Sequence, residues 1–175
     1  MGIETLQSAI PDYAKDLRLN LSVLSTSSLD PAAAFGSAYT AALVSKNVTV
    51  KQAILEEARE HLSTEQIEGC RAAAAIMSMT NVWYKFNDLV TDPEVKGLPA
   101  KLRMNVIISH GGIGQVLFET FSLAASVVNA CDTCVNAHAA QLRKNDVPAQ
   151  GIVDVGRIAS IVKAISDTLT FEERA

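Results

Sequence analysis

Apolar residues recur every three or four positions along most of the chain and seldom alternate with polar ones. That period predicts amphipathic helices rather than strands. The first pattern covers residues 3–21, with Pro11 either breaking it or opening a second short helix. Asp30 followed by Pro31 is a helix start, a capping side chain and then a proline at the first helical position. It predicts a helix over 31–45. Residues 47–49 read as a turn. Thr49 with Gln52, and Ser63 with Gln66, fit capping boxes. They predict a helix near 50–61 and another through the alanine run at 72–75. Asp92-Pro93 and Gly97-Leu98-Pro99 punctuate a connection. A short helix over 100–109 and a glycine loop at 111–114 follow. The apolar segment 115–129 then runs into a helical stretch over 134–144, which Val147-Pro148 ends. The last helix is expected over 151–169, with a polar, frayed tail from Glu172.

Composition narrows this to an all-α bundle. Of the 175 residues 49% are hydrophobic but only 5% aromatic, so alanine carries much of the apolar content. Alanine favours close helix packing and adds no β propensity. A net charge of −4, with both signs interspersed, offers no basic stripe for nucleic acid and no polybasic helix for an anionic membrane. The first twenty residues lack a basic segment followed by an apolar core, so they do not read as a signal peptide. No apolar run is long enough to span a bilayer. The expectation is a cytoplasmic, soluble chain of one domain over residues 1–175.

Sliding the chain by 54 places pairs Glu65 with Glu119, Gly97 with Gly151, Arg103 with Arg157 and Ile107 with Ile161. This is a weak internal repeat, about 65–111 against 119–165. The slot of the later cysteines is filled in the earlier half by Met77-Ser78-Met79-Thr80. One half would carry chemistry and the other packing.

Three cysteines, Cys70, Cys131 and Cys134, are too few for a secreted disulfide framework. Cys131 and Cys134 have the C-x-x-C spacing of redox or metal sites. On a helix, Cys131, Cys134 and His138 fall within an arc of about 60°. Asn129 and Asp132 favour a helix start beside the pair. The free N–H groups and dipole of such a start stabilise a thiolate. A zinc site would need a fourth ligand, and neither His61 nor His110 sits in a second ligand pair. Haem attachment needs histidine directly after the second cysteine, where Val135 stands. Redox use is favoured, with zinc and two inert core thiols left open.

Other residues divide less sharply. Glu119 is the one acidic residue between Glu94 and Asp132. It reads equally as a carboxylate at a helix start or as a buried partner of the thiol face. Cys70, among alanines, reads as core. His61 and His110 read as ordinary helix-end or loop residues. Met77, Met79, Trp83, Tyr84 and Phe86 read as core or subunit contact.

At these residues the chain resembles the alkyl hydroperoxide reductase D (AhpD) family, within the carboxymuconolactone decarboxylase-like superfamily. The resemblance runs through IETLQSAIPDYAKDLRLNLS, AAAAIMSMTNVWY, LRMNVI and, most specifically, FETFSLAASVVNACDTCVNAHAAQLR. It implies an all-α fold with a duplicated helical unit, assembled as a homotrimer. It implies reduction of alkyl hydroperoxides, regeneration of a partner peroxiredoxin (AhpC), no bound cofactor, and electrons from dihydrolipoyl groups on a lipoyl-bearing protein. By resemblance Cys134 becomes the sulfenic acid and Cys131 is its proton donor and resolving partner. Glu119 and His138 match the family's proton relay. The family histidine just before the second cysteine is here Thr133, and a hydroxyl is no base near neutral pH. The rival readings are a cysteine-independent decarboxylase-like enzyme and a zinc-binding interaction module.

Overall fold

The computed structural model describes residues 2–173. The described residues form helices joined by turns, with no strand. The all-α expectation is met.

The axis of the bundle is α4 (Pro31–Ser45). Asp30 caps it, accepting a bond from the Ala33 N–H at 3.0 Å, and Pro31 follows as its first residue. Every position from Ala33 to Ala42 is buried, so this helix is enclosed on all sides. Small residues make that possible. A Cβ on Gly36 would stand 2.2 Å from the Phe121 ring, which is itself fully buried.

Around α4 pack α5 (Val48–Ala58), α6 (Thr64–Leu89), α9 (Gln115–Val128) and α11 (Ala149–Glu172). The remaining long helix, α10 (Asp132–Lys144), lies mainly on α9. Ahead of them the N-terminal pattern splits at Pro11 into α1 (Ile3–Ala9) and α2 (Lys15–Asn20), followed by α3 (Val23–Thr26). The short helices α7 (Pro93–Lys96) and α8 (Asn105–Ile108) lie in the connection from α6 to α9.

The Ser63 and Gln66 capping box forms with both reciprocal bonds, at 3.2 and 2.9 Å. The Thr49 and Gln52 box does not. Asn47 caps α5 instead, accepting from the Val50 N–H at 3.0 Å while its Nδ2 reaches Thr170 on α11. One amide thus serves two helices, while the Thr49 hydroxyl points to Glu173 at 3.5 Å. The helix expected over 100–109 shrinks to α8, because Lys101 takes a left-handed φ of 51° and interrupts it. The glycine loop is as expected: Gly111, Gly112 and Gly114 all have positive φ and turn the chain into α9.

The frayed tail does not begin at Glu172, which ends α11 and accepts from the Tyr13 hydroxyl at 2.7 Å. Glu173 accepts from Asn47, and residues 174 and 175 lie outside the described ones. At an offset of 54, the unbroken α6 lies opposite the break between α9 and α10.

Candidate functional site

The site forms where three helices meet, and it starts with a tight reversal. Helix α9 ends at Val128, and Ala130 takes a left-handed φ of 50°. The Cys131 N–H then bonds back to the Ser126 carbonyl at 3.1 Å. Residue Cys131 is itself the N-cap of α10, and neither Asn129 nor Asp132 fills that role. Asn129 is drawn away to α6, where its Nδ2 donates to Asn81 Oδ1 at 2.9 Å and its carbonyl accepts from Lys85 at 3.2 Å. Asp132 is the first helical residue.

Cys131 and Cys134 are joined in a disulfide, with Cα atoms 5.3 Å apart. They occupy the N-cap and third position of α10, so the unpaired N–H groups and positive dipole end of that helix lie at the pair. The two sulfurs are not equivalent. Cys131 is fully buried, whereas Cys134 lines a cavity of about 350 Å³ together with Thr80, Tyr84, Ile107 and His138. The cavity wall is mostly apolar, and His138 is its only ionisable group besides Tyr84 and the cysteine.

Glu119 lies past the first turn of α9 and is 6% exposed, so it is no helix-start carboxylate. Its Oε2 is 2.6 Å from His138 Nδ1. A buried carboxylate needs such a partner. The reversal at Ala130 folds α10 back along α9 and brings residues 19 positions apart into contact. All four residues singled out in the sequence therefore converge at one place.

Residues 93–169 match the carboxymuconolactone decarboxylase family. The chain is 44% identical over 173 residues to the alkyl hydroperoxide reductase AhpD of Rhodospirillum centenum, covering 98% of this chain and 92% of that protein. This chain belongs to the AhpD family. The AhpD proteins of Brucella canis and Streptomyces griseus are each 41% identical to it. These matches cover 97% of both chains for the first, and 98% of this chain and 97% of that protein for the second.

Other residues border the site besides the four singled out in the sequence. Met77, read from the sequence as core or subunit contact, is buried at 2% exposed. Its sulfur lies 3.3 Å from His138 Nε2, and its side chain lines the cavity. Asn81, fully buried one turn on, donates to Ser126 at 3.0 Å and thereby ties α6 to α9. A polar pair, Thr80 and Asn81, on an otherwise apolar helix face was the available signal. Thr133 donates a hydrogen bond to the Asp88 carboxylate at the end of α6.

The residues read as structural stay outside the site. Cys70 is fully buried, and that burial pushes its thiol up to about 12. His61 stacks on Phe35 with ring centres 4.1 Å apart, and His110 sits in the glycine turn. Among the described residues no cluster of three His, Cys, Asp or Glu side chains is arranged to hold a metal. No helix among them is long and apolar enough to cross a membrane.

Proposed function

We propose that this AhpD-family protein is an antioxidant thiol–disulfide oxidoreductase that reduces alkyl hydroperoxides through Cys134 and Cys131. The observation that carries the reading is the asymmetry of the pair: Cys134 faces the cavity beside His138, while Cys131 is sealed behind it. The attacking sulfur must meet substrate, and the resolving sulfur must meet only its partner.

In the reduced protein His138, held by Glu119 through Nδ1, takes the Cys134 proton at Nε2. The helix N-terminus favours the resulting thiolate. An unperturbed cysteine, with a pKa of about 8.5, is only a few per cent thiolate at neutral pH, so each unit of depression brings close to tenfold more nucleophile at first. The thiolate attacks the distal peroxide oxygen, the O–O bond breaks, and the alkoxide leaves as alcohol with the proton held at His138. Cys134 is then a sulfenic acid. The Cys131 thiol displaces its hydroxyl as water and forms the disulfide. A dithiol re-reduces the pair by two exchange steps. The sum is one hydroperoxide and one dithiol giving alcohol, water and the oxidised dithiol.

The mostly apolar, uncharged wall supports an organic hydroperoxide and a neutral donor such as a dihydrolipoyl group on a carrier protein. The same dithiol exchange would serve an AhpC-type peroxiredoxin partner. Such a cycle belongs in a reducing, cytoplasmic setting. Exposed Val82, Phe86 and Leu89 along α6 support a homotrimer that covers them.

The test is peroxide turnover with dihydrolipoamide. Cys134→Ser is expected to abolish it. Cys131→Ser is expected to consume one equivalent of peroxide and stall as a trappable sulfenic acid. Undiminished turnover in Cys134→Ser would overturn the proposal in favour of cysteine-independent chemistry.

A further inference from the structure

Met77 presents a buried sulfur that two side-chain donors approach, those of Asn81 and Ser126, with the His138 imidazole beside them. It is 2% exposed, yet it lines the same cavity as Cys134 and His138. Around its Sδ stand His138 Nε2 at 3.3 Å, Asn81 Nδ2 at 3.6 Å and Ser126 Oγ at 3.7 Å. Thr80 Oγ1 is also 3.6 Å away, but its hydrogen goes to the Ile76 carbonyl at 3.0 Å. A thioether is a weak acceptor, whereas a sulfoxide carries a polar oxygen that rewards such donors.

We propose that Met77 is a second peroxide-reducing group of this cavity, oxidised to its sulfoxide when Cys131 and Cys134 are already paired. The inference rests on the reading of the cavity as a hydroperoxide site. In the disulfide form Cys134 has no thiolate to offer. Of the residues lining the cavity, Met77 is then the one sulfur outside the disulfide. Its lone pair attacks the distal peroxide oxygen, the S–O bond forms and the O–O bond breaks. The departing alkoxide takes the proton of the transferred hydroxyl, directly or through His138. One thioether and one hydroperoxide give one sulfoxide and one alcohol, and the sulfur supplies both electrons. The donors already aimed at Sδ stabilise the charge that develops on oxygen.

The reaction has a consequence at the relay. A gap of 3.3 Å between Sδ and Nε2 has no room for an added oxygen unless the imidazole moves. Oxidised Met77 therefore displaces His138, and turnover falls. When hydroperoxide outruns the supply of dithiol, the protein shuts itself down, and methionine sulfoxide reduction restores it.

Two internal controls separate this from general oxidation. Met79 and Met104 are both more exposed than Met77, and neither lines the cavity. The purified full chain, first converted to its disulfide, is exposed to excess tert-butyl hydroperoxide and mapped by peptide mass spectrometry. Met77 is expected to gain oxygen about tenfold faster than Met79 or Met104, as delivery from a binding cavity requires. Turnover should fall in step, recover on treatment with methionine sulfoxide reductases, and resist the same treatment in Met77→Leu. Oxidation of Met79 and Met104 ahead of Met77, in a protein with intact Cys134-dependent turnover, would overturn this inference and spare the peroxidase reading. Turnover persisting in Cys134→Ser would overturn the peroxidase reading, and the order of methionine oxidation would still decide the role of Met77.

Discussion

Glu119 holds an imidazole rather than a substrate. Its carboxylate is buried, and the 2.6 Å contact with His138 Nδ1 fixes the ring orientation and leaves Nε2 for the proton exchange with Cys134 proposed above. Glu119→Gln keeps the shape and removes the charge. It is expected to lower peroxide turnover about a hundredfold, the range of a lost acid–base partner, while the thermal midpoint stays nearly constant. Steady-state kinetics beside a melting curve check both parts. Cys70 behaves in the opposite way. Its buried thiol stays protonated until about 12, against 9.0 for a free group. Above pH 9 the unfolded state loses that proton and the native state keeps it, so stability falls as pH rises through this window. Cys70→Ala is expected to flatten that alkaline slope in urea titrations. In the reduced native protein, iodoacetamide should label Cys134 and leave Cys70 untouched.

Between helices, the scaffold is held by groups that serve two elements at once. Asp154 on α11 is 1% exposed and accepts from both the Ser28 N–H and the Ser28 hydroxyl at 2.8 Å. The backbone bond from Ser28 first, then the bonds from the Ser28 hydroxyl, Gln150 and Arg157, hold its carboxyl below the usual range despite burial. The stability this contributes is present above the unfolded value of 3.8 and is lost as pH falls through the lower folded value. Asp154→Asn is therefore expected to lower stability at neutral pH and to lessen its decline in acid, read from unfolding midpoints between pH 2 and 7. The small residue at 36 matters for a different reason. Gly36→Ala drives a methyl into the Phe121 ring, and Phe121 has no exposed side to yield toward. The expected cost is about 1–3 kcal/mol, measured by denaturant unfolding.

At the scale of the whole molecule, the site is a product of how α6, α9 and α10 converge. The cysteine pair and His138 come from α10, Glu119 from α9, and Met77 with Asn81 from α6. The second half of α6 leaves Val82, Phe86 and Leu89 exposed next to this assembly. If these residues seal a trimer, light scattering will give three times the 18.7 kDa chain mass, and Leu89→Glu will shift it toward the monomer. A monomer for the unmodified chain would remove that role from the patch.

Local rules of the chain carried much of this. The helices with strong starts, Asp30-Pro31 and the Ser63 and Gln66 box, were legible because a cap and its helix are neighbours in sequence. The shared face of Cys131, Cys134 and His138 was legible for the same reason, since helical periodicity places residues three and four apart together. Tertiary structure decided the rest. Asn47 rather than Thr49 caps α5, and its amide also reaches Thr170 on α11. Glu119 became the partner of His138 because Ala130 turns left-handed and lays α10 back on α9. Met77, 61 residues from His138, reached the site only through the packing of α6 on α9 and α10. The sequence by itself determined the helices and the thiol pair, which depend on near neighbours. Only the fold decided which sulfur faces the cavity and what surrounds it, because burial and contact between distant residues arise from packing.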